Sequence, residues 1–223
     1  MRSLSKFLLA SSWAATLSAE QLLRVRNSMV VRELRTGNFA YHRGDMANDW
    51  MGVIDGLVKC TTVSDTGKSV TFVALPTNSW FGEGSLLKQE QFKYDVIALR
   101  QTSLAFMPKA TFFWLLDNSI PFNRFILNQL NKRLGYYVGA FEHAHLFGPE
   151  ERVAHAIATM MDPELYPNSE NCIEISNEEL ARLVGLSRQT TSQALQALEK
   201  VGLIAAKYRM IKVLDIVGLL NVH

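Results

Sequence analysis

Seven consecutive residues, Ser187 to Gln193, read Ser-Arg-Gln-Thr-Thr-Ser-Gln and contain no large apolar side chain. Carried on a helix, Arg188 can make a paired contact with the major-groove edge of guanine, and Gln189 or Gln193 can do the same with adenine. Ser187, Thr190 and Ser192 add hydroxyls that suit phosphate oxygens or base edges. Some fifteen to twenty positions on, Lys207, Arg209 and Lys212 supply the positive charge that neutralises phosphate. The chemistry within reach of these residues is recognition of double-stranded DNA, without bond making or breaking.

Such residues need a rigid mount, and the flanking sequence describes one. Ser176 and Glu179 have the spacing of a capping box, so a helix is expected from Asn177 through Leu180, Ala181, Leu183 and Val184. Gly185 can adopt the left-handed conformation that stops it, and Ser187 caps a second helix that turns Leu195 and Leu198 inward and ends near Gly202. Two helices joined by a tight glycine turn form a helix-turn-helix, whose second helix enters the major groove. The following "LIAAKYRMIKVLD" alternates like a hairpin with Lys207, Arg209 and Lys212 at or near its turn: a basic wing, or a solvated edge hairpin.

Upstream, "KATFFWLLDNS" reads as a helix, and a longer one follows Pro121 to about Leu146. Its apolar residues repeat every seven positions, with Leu127, Leu134 and Phe141 in one row and Leu130, Tyr137 and Ala144 in the other. Three heptads of this kind predict two copies packed side by side, a homodimer; the alternative is a single amphipathic helix that covers its own barrel. From Val25 to Met107, Gly, Asp and Asn punctuate short β-branched and aromatic runs, as in an antiparallel barrel or sandwich. Val58–Phe72, folded at Ser64-Asp65-Thr66-Gly67, is the clearest hairpin. The fold class is therefore α+β: an N-terminal antiparallel β-roll with N-terminal helices (1–108), a helical dimerisation linker (109–148) and a C-terminal winged helix-turn-helix (149–223).

The totals set bounds. With 48% hydrophobic and 20% charged residues, the 223-residue chain is globular and not disordered. Its net charge of +2 hides an asymmetry: residues 149–223 carry 7 Lys+Arg against 10 Asp+Glu. An acidic balance suits DNA only if Arg188, Lys207, Arg209 and Lys212 gather on one face. Otherwise the chain is a ligand-binding regulatory module acting through protein partners. The first twenty residues imitate a secretion signal, but Ser11, Ser12 and Thr16 interrupt them and helical periodicity continues past Glu20. A cytoplasmic protein with an N-terminal helix pair is expected. No apolar run approaches the ~18 residues of a membrane span.

Other chemistries find little support. Gly67-Lys68-Ser69 mimics the end of a phosphate loop, but Thr62 replaces its first glycine and a strand, not a helix, follows. Cys60 and Cys172 stand apart without metal-ligand spacing, which suits reduced thiols. His143 and His145, two apart on a helix, point in different directions, so no metal site is expected even with His155 nearby. No Ser/His/Asp set, HExxH or glycine-rich nucleotide loop occurs, and an enzyme is not expected.

With "FGEGSLL" at 81–87 and "EELARLVGLSRQTTSQALQALEKVGLI" at 178–204 in this order, the chain resembles the cyclic-AMP receptor/fumarate-nitrate regulator (CRP/FNR) family over essentially its full length. The resemblance implies a transcription regulator that binds a palindromic operator as a homodimer, with RNA polymerase as a partner. It also implies a small effector in the β-roll. Gly82, Glu83, Gly84 and Ser85 match the start of the family's effector segment. Lys93 and Tyr94 stand where cyclic-nucleotide binders have Arg-Ser, followed by Asp95; Tyr137 and Val138 stand where Thr and Ser meet the purine. A cyclic nucleotide, a cyclic dinucleotide, another small molecule or no ligand at all are left open. No iron–sulfur cluster is expected, since no cysteine precedes Cys60. Arg188 matches the family's guanine-reading arginine, while Gln189 and Gln193 replace the more usual Glu and Arg.

Overall fold

The N-terminal segment builds core. In the computed structural model, which describes residues 3–67, 69–163, 165–166 and 171–222, helix α1 (Leu4–Ala10) starts at Ser3, whose hydroxyl accepts from the Lys6 amide. Helix α2 (Ala19–Ser28) starts at a reciprocal Ser18/Gln21 capping box. Phe7 and Leu8 on α1, and Trp13 between the two helices, are buried. Trp13 lies 5.1 Å from Trp80 and 5.4 Å from Phe122, ring centre to ring centre, within a cluster that also holds Trp50. Lys68 of the expected phosphate-loop mimic lies outside the described residues.

Eight strands follow: β1 (Val30–Leu34), β2 (Phe39–Tyr41), β3 (Asp49–Asp55), β4 (Leu57–Val63), β5 (Ser69–Pro76), β6 (Trp80–Phe81), β7 (Asp95–Ala98) and β8 (Thr102–Pro108). They form two antiparallel four-stranded sheets ordered β1-β8-β3-β6 and β2-β7-β4-β5. The expected hairpin is the β4–β5 pair, in register from Leu57↔Pro76 to Val63↔Ser69 with one irregularity at Cys60/Thr61. A short helix, α3 (Glu83–Lys88), interrupts the strands.

Helix α4 (Lys109–Asn118) leads into α5 (Ile120–Leu146), capped by Ser119 with Pro121 in its first turn. Its 27 residues span about 40 Å. Phe122, Ile126 and Gln129 bury one side of α5 against the β-roll. Phe147-Gly148 breaks the chain before α6 (Pro149–Thr159). The C-terminal part comprises β9 (Cys172–Ile173), α7 (Asn177–Val184), α8 (Arg188–Lys200), β10 (Ile204–Lys207), β11 (Met210–Val213) and α9 (Ile216–Leu220). Its sheet is ordered β10-β11-β9. The buried side chains form two clusters, one in the β-roll and N-terminal helices and one around α6, α7 and α8. The second also takes in Leu57 and Ala74 from the β4–β5 hairpin. No described helix is long and apolar enough to cross a membrane.

Candidate nucleic-acid interface and sensor cluster

The turn between α7 and α8 is built from three local devices. Ser176 caps α7 through the Glu179 amide, and Ser187 caps α8 through the Thr190 amide at 3.0 Å. Gly185 takes φ +67°, the left-handed region, and both its amide and that of Leu186 donate to the Ala181 carbonyl. A guanidinium nitrogen of Arg152, on α6, donates to the Val184 carbonyl and so satisfies the end of α7. Leu180, Ala181, Val184, Ala194, Leu195 and Leu198 are buried beneath.

On the outer face Ser187, Arg188, Gln189 and Gln193 are exposed, with Thr190 and Ser192 half-buried. The Ser187 and Thr190 hydroxyls bond each other at 2.7 Å. The hairpin β10–β11 turns at Tyr208-Arg209, where Arg209 holds a positive φ of 58° and Tyr208 is 92% exposed. Glu199 of α8 accepts from the Ala206 amide at 2.8 Å, which ties the hairpin to the helix. The two enclose an open cleft of about 560 Å³ lined by Arg188, Ser192, Gln196, Lys207 and Arg209. Three of the four cations whose clustering a DNA surface requires thus share one cleft, despite the acidic balance of the region. Lys212 lies on β11, exposed but outside that lining. Glu178 and Glu199 also border the cleft. Sequence reasoning missed Gln196 and Tyr208; for Gln196 the signal was its helical spacing from Ser192 and Gln193.

The β-roll carries a second cluster. Gly82 adopts φ +94° at the start of α3, with the Met51 side chain only 3.2 Å from where a Cβ would stand. This turns the Glu83 carboxylate inward, where it is 2% exposed. One oxygen accepts from Arg133 Nε of α5 at 2.6 Å and the other from the Trp50 indole at 3.3 Å. Arg133 and Gln129 both donate to the Trp80 carbonyl. Tyr94 is half-buried; burial pushes its phenol up, and Cys60, Glu83 and Tyr137 add to the shift. Burial likewise pushes the Cys60 thiol up to about 12, with Arg133 opposing. Glu83 thus binds Arg133, which sequence reasoning did not single out; Tyr94 and Tyr137 lie within its electrostatic reach, and Gly82 sets the turn that brings Glu83 there. Ser85 is buried and Gly84 half-buried on α3. Lys93 is not part of this cluster: its ammonium is exposed and pairs with Glu90 at 3.5 Å.

A cyclic phosphate needs a cation and small donors at 93–94. Here the cation points to solvent and a phenol ring occupies the interior, while Glu83 is already engaged by Arg133 and Trp50. These residues do not fit a cyclic nucleotide held by the family's usual phosphate clamp.

Of the residues expected at a dimer seam, Leu127, Leu134 and Phe141 are 65%, 62% and 69% exposed, with Val138 beside them at 61% and Tyr137 at 43%. Leu130 differs: it packs partly against the chain's own β-roll core. His143 and His155 stack with ring centres 3.9 Å apart across the α5–α6 joint, with no third His, Cys, Asp or Glu completing a metal site among the described residues. Cys60 is buried and Cys172 exposed, and both are free thiols.

Comparison with known proteins agrees with both halves. Residues 31–119 match the cyclic nucleotide-binding domain and residues 151–222 the Crp-like helix-turn-helix domain. The transcriptional regulator SdrP of Thermus thermophilus is 25% identical over 169 residues, covering 75% of this chain and 80% of its own length. The cyclic AMP receptor protein of the same organism is 27% identical over 174 residues, covering 75% and 76%. Among solved structures, FixK2 from Bradyrhizobium japonicum superposes with a TM-score of 0.73 at 17% identity over 86% of this chain and 96% of its own. The c-di-GMP responsive global regulator CLP of Xanthomonas campestris gives 0.62 at 23% identity over 88% and 99%. At those identities the structures testify to the shared fold alone. With a cyclic nucleotide-binding domain ahead of a Crp-like helix-turn-helix, the chain belongs to the CRP/FNR family of transcription regulators.

Proposed function

We propose that this regulator works as a homodimer joined along α5, and that its two α8 helices read the half-sites of a palindromic operator. The observation that carries this reading is the joint presence of two surfaces. One is the polar, exposed face of α8 beside Lys207 and Arg209; the other is the apolar stripe Leu127–Leu134–Val138–Phe141, which the chain leaves open to water. A stripe of that length on one helix is satisfied by a second copy of itself. The acidic balance of the C-terminal part favoured a protein-binding module; the shared cleft of Arg188, Lys207 and Arg209 favours DNA.

In this reading Arg188 takes a guanine in each half-site, Gln189 and Gln193 shift the remaining base preferences, and Ser187, Thr190, Ser192, Lys207 and Arg209 contact phosphates and groove edges. DNA binding proceeds without cyclic AMP, because the clamp that would hold it is not assembled. RNA polymerase is the partner through which a bound dimer acts on transcription, and the cytoplasm is where it acts. The domain division at about residues 108 and 148 belongs to the same reading.

Selection of binding sites from random duplexes, with no nucleotide added, tests the proposal. The expected product is a two-fold symmetric sequence with guanine at one fixed place in each half-site, bound less tightly as salt rises. Enrichment of nothing, even at low salt, would refute it. A thermal-shift panel with cyclic AMP, cyclic GMP and cyclic di-GMP accompanies the selection. Cyclic AMP and cyclic GMP are expected to leave melting unchanged, whereas a ligand at about 100 times its Kd would raise stability by about 2.7 kcal/mol.

A further inference from the structure

The winged helix-turn-helix does not hang from α5 alone. Helix α7 lies against the β4–β5 hairpin, where Leu57 and Ala74 enter the C-terminal core. At this contact the Lys59 ammonium, on a side chain only 7% exposed, meets both carboxylate oxygens of Glu179 at 3.0 and 2.9 Å. Among the described residues Lys59 has no other ion-pair partner. Glu179 is better provided for, since Arg182 also donates to it at 2.9 Å. A second ion pair, Arg100 with Glu174, joins the same two parts at the edge of the contact. Docking leaves the reading face free: Arg188, Gln189 and Gln193 stay exposed, and so does Tyr208 at the wing tip.

From this arrangement we infer that the contact of α7 with β4–β5 is an interdomain latch which fixes the orientation of the helix-turn-helix on the β-roll, and that it stays closed because Glu179 neutralises the Lys59 ammonium buried in it. Glu179 is thereby a positioning residue for operator binding, although it sits in the first turn of α7 and not on the reading face. The inference rests on the dimeric, two-half-site reading above. A dimer grips two half-sites only when its recognition helices are about one DNA turn, ~34 Å, apart. Fixing each helix-turn-helix to its own β-roll sets that spacing before DNA arrives, so little ordering is left to the binding step.

The latch has an asymmetric signature. E179Q leaves Lys59 without a counter-charge in a dry contact, which drives the domain off the β-roll so that the ammonium can hydrate. K59M removes that charge at similar volume, and Glu179 keeps Arg182; replacing a buried pair by an apolar group of like size is often neutral. The double variant K59M/E179Q has no buried charge to hydrate.

The test measures affinity for the selected two-half-site duplex and for a duplex carrying one half-site, together with the fluorescence anisotropy decay of a probe on the exposed Cys172. For E179Q the expected loss on the two-half-site duplex is about tenfold or more, because the correctly spaced conformation becomes a minority. K59M and the double variant stay within about threefold of the parent, in keeping with a neutral buried-pair replacement. Single-half-site affinity is unchanged in all of them. The Cys172 probe tumbles with the whole particle in the parent and gains fast segmental motion in E179Q, reversed in the double variant. Equal losses on both duplexes, tighter two-site binding by E179Q, or no rescue in the double variant would each overturn the latch. If the parent bound no duplex, the DNA reading would fail. The anisotropy decay would then still decide whether Lys59 and Glu179 hold the domain.

Discussion

Arg188 and Glu83 show how charged residues are put to different uses by their surroundings. Arg188, in the first turn of α8, is exposed and, among the described residues, its side chain carries no partner that would compete with a base. Replacing it with Ala is expected to weaken operator binding by about 1–3 kcal/mol and to relax preference at one position per half-site. Affinity measured on a panel of singly altered operators checks this. Glu83 is a structural acid: its carboxylate is buried between Arg133 and Trp50. Changing it to Gln strands the Arg133 charge and is expected to cost about 3–5 kcal/mol in urea unfolding. His155 adds a pH dependence. Burial, with the neighbouring His143 charge, lowers its pKa from 6.5 to about 4. Between those values the unfolded chain binds the proton more readily than the folded one, so stability falls as pH drops from 6.5 toward 4. Melting at pH 5 should therefore lie below melting at pH 7, and His155→Gln should narrow the gap.

The elements differ in how openly the sequence declared them. Helices α7 and α8 were legible because caps, a left-handed glycine and the apolar spacing all coincide within 27 residues. The β4–β5 hairpin was legible because its turn residues stand between alternating runs. Helix α3 was not: six residues with a glycine among them carry too short a period to announce a helix, and its start depends on Gly82 at positive φ. The inward turn of Glu83 was hidden for the same reason, as was Arg133, whose role exists only once α5 crosses α3. On α5 itself, heptad spacing identified two apolar rows but could not tell which would be taken by the chain's own β-roll. Leu130 turns inward, whereas Leu127, Leu134 and Phe141 remain outside. A lysine at Leu134 is accordingly expected to remove roughly 4 kcal/mol per dimer, two leucines' worth of burial, and to weaken association roughly a thousandfold. Sedimentation equilibrium should find Leu134→Lys monomeric at concentrations where the parent is dimeric, with its melting temperature little changed.

At the scale of the molecule, the β-roll and the helix-turn-helix are joined twice, by the covalent path through α5 and α6 and by the contact of α7 with β4–β5. The first is written in the sequence as Gly148-Pro149 between two helical stretches. The second joins positions 120 apart, Lys59 and Glu179, and no local pattern marks either as a partner of the other. DNA reading by α8 is coupled to pairing along α5, and the mass of the protein–DNA complex on the selected palindromic duplex tests that coupling most directly. Sedimentation velocity with the parent and with Leu134→Lys is the measurement. Two chains per duplex for the parent, with the variant failing to form that complex, is the predicted result. One chain per duplex at saturation, or a Leu134→Lys variant that binds the palindrome with full affinity, would contradict it.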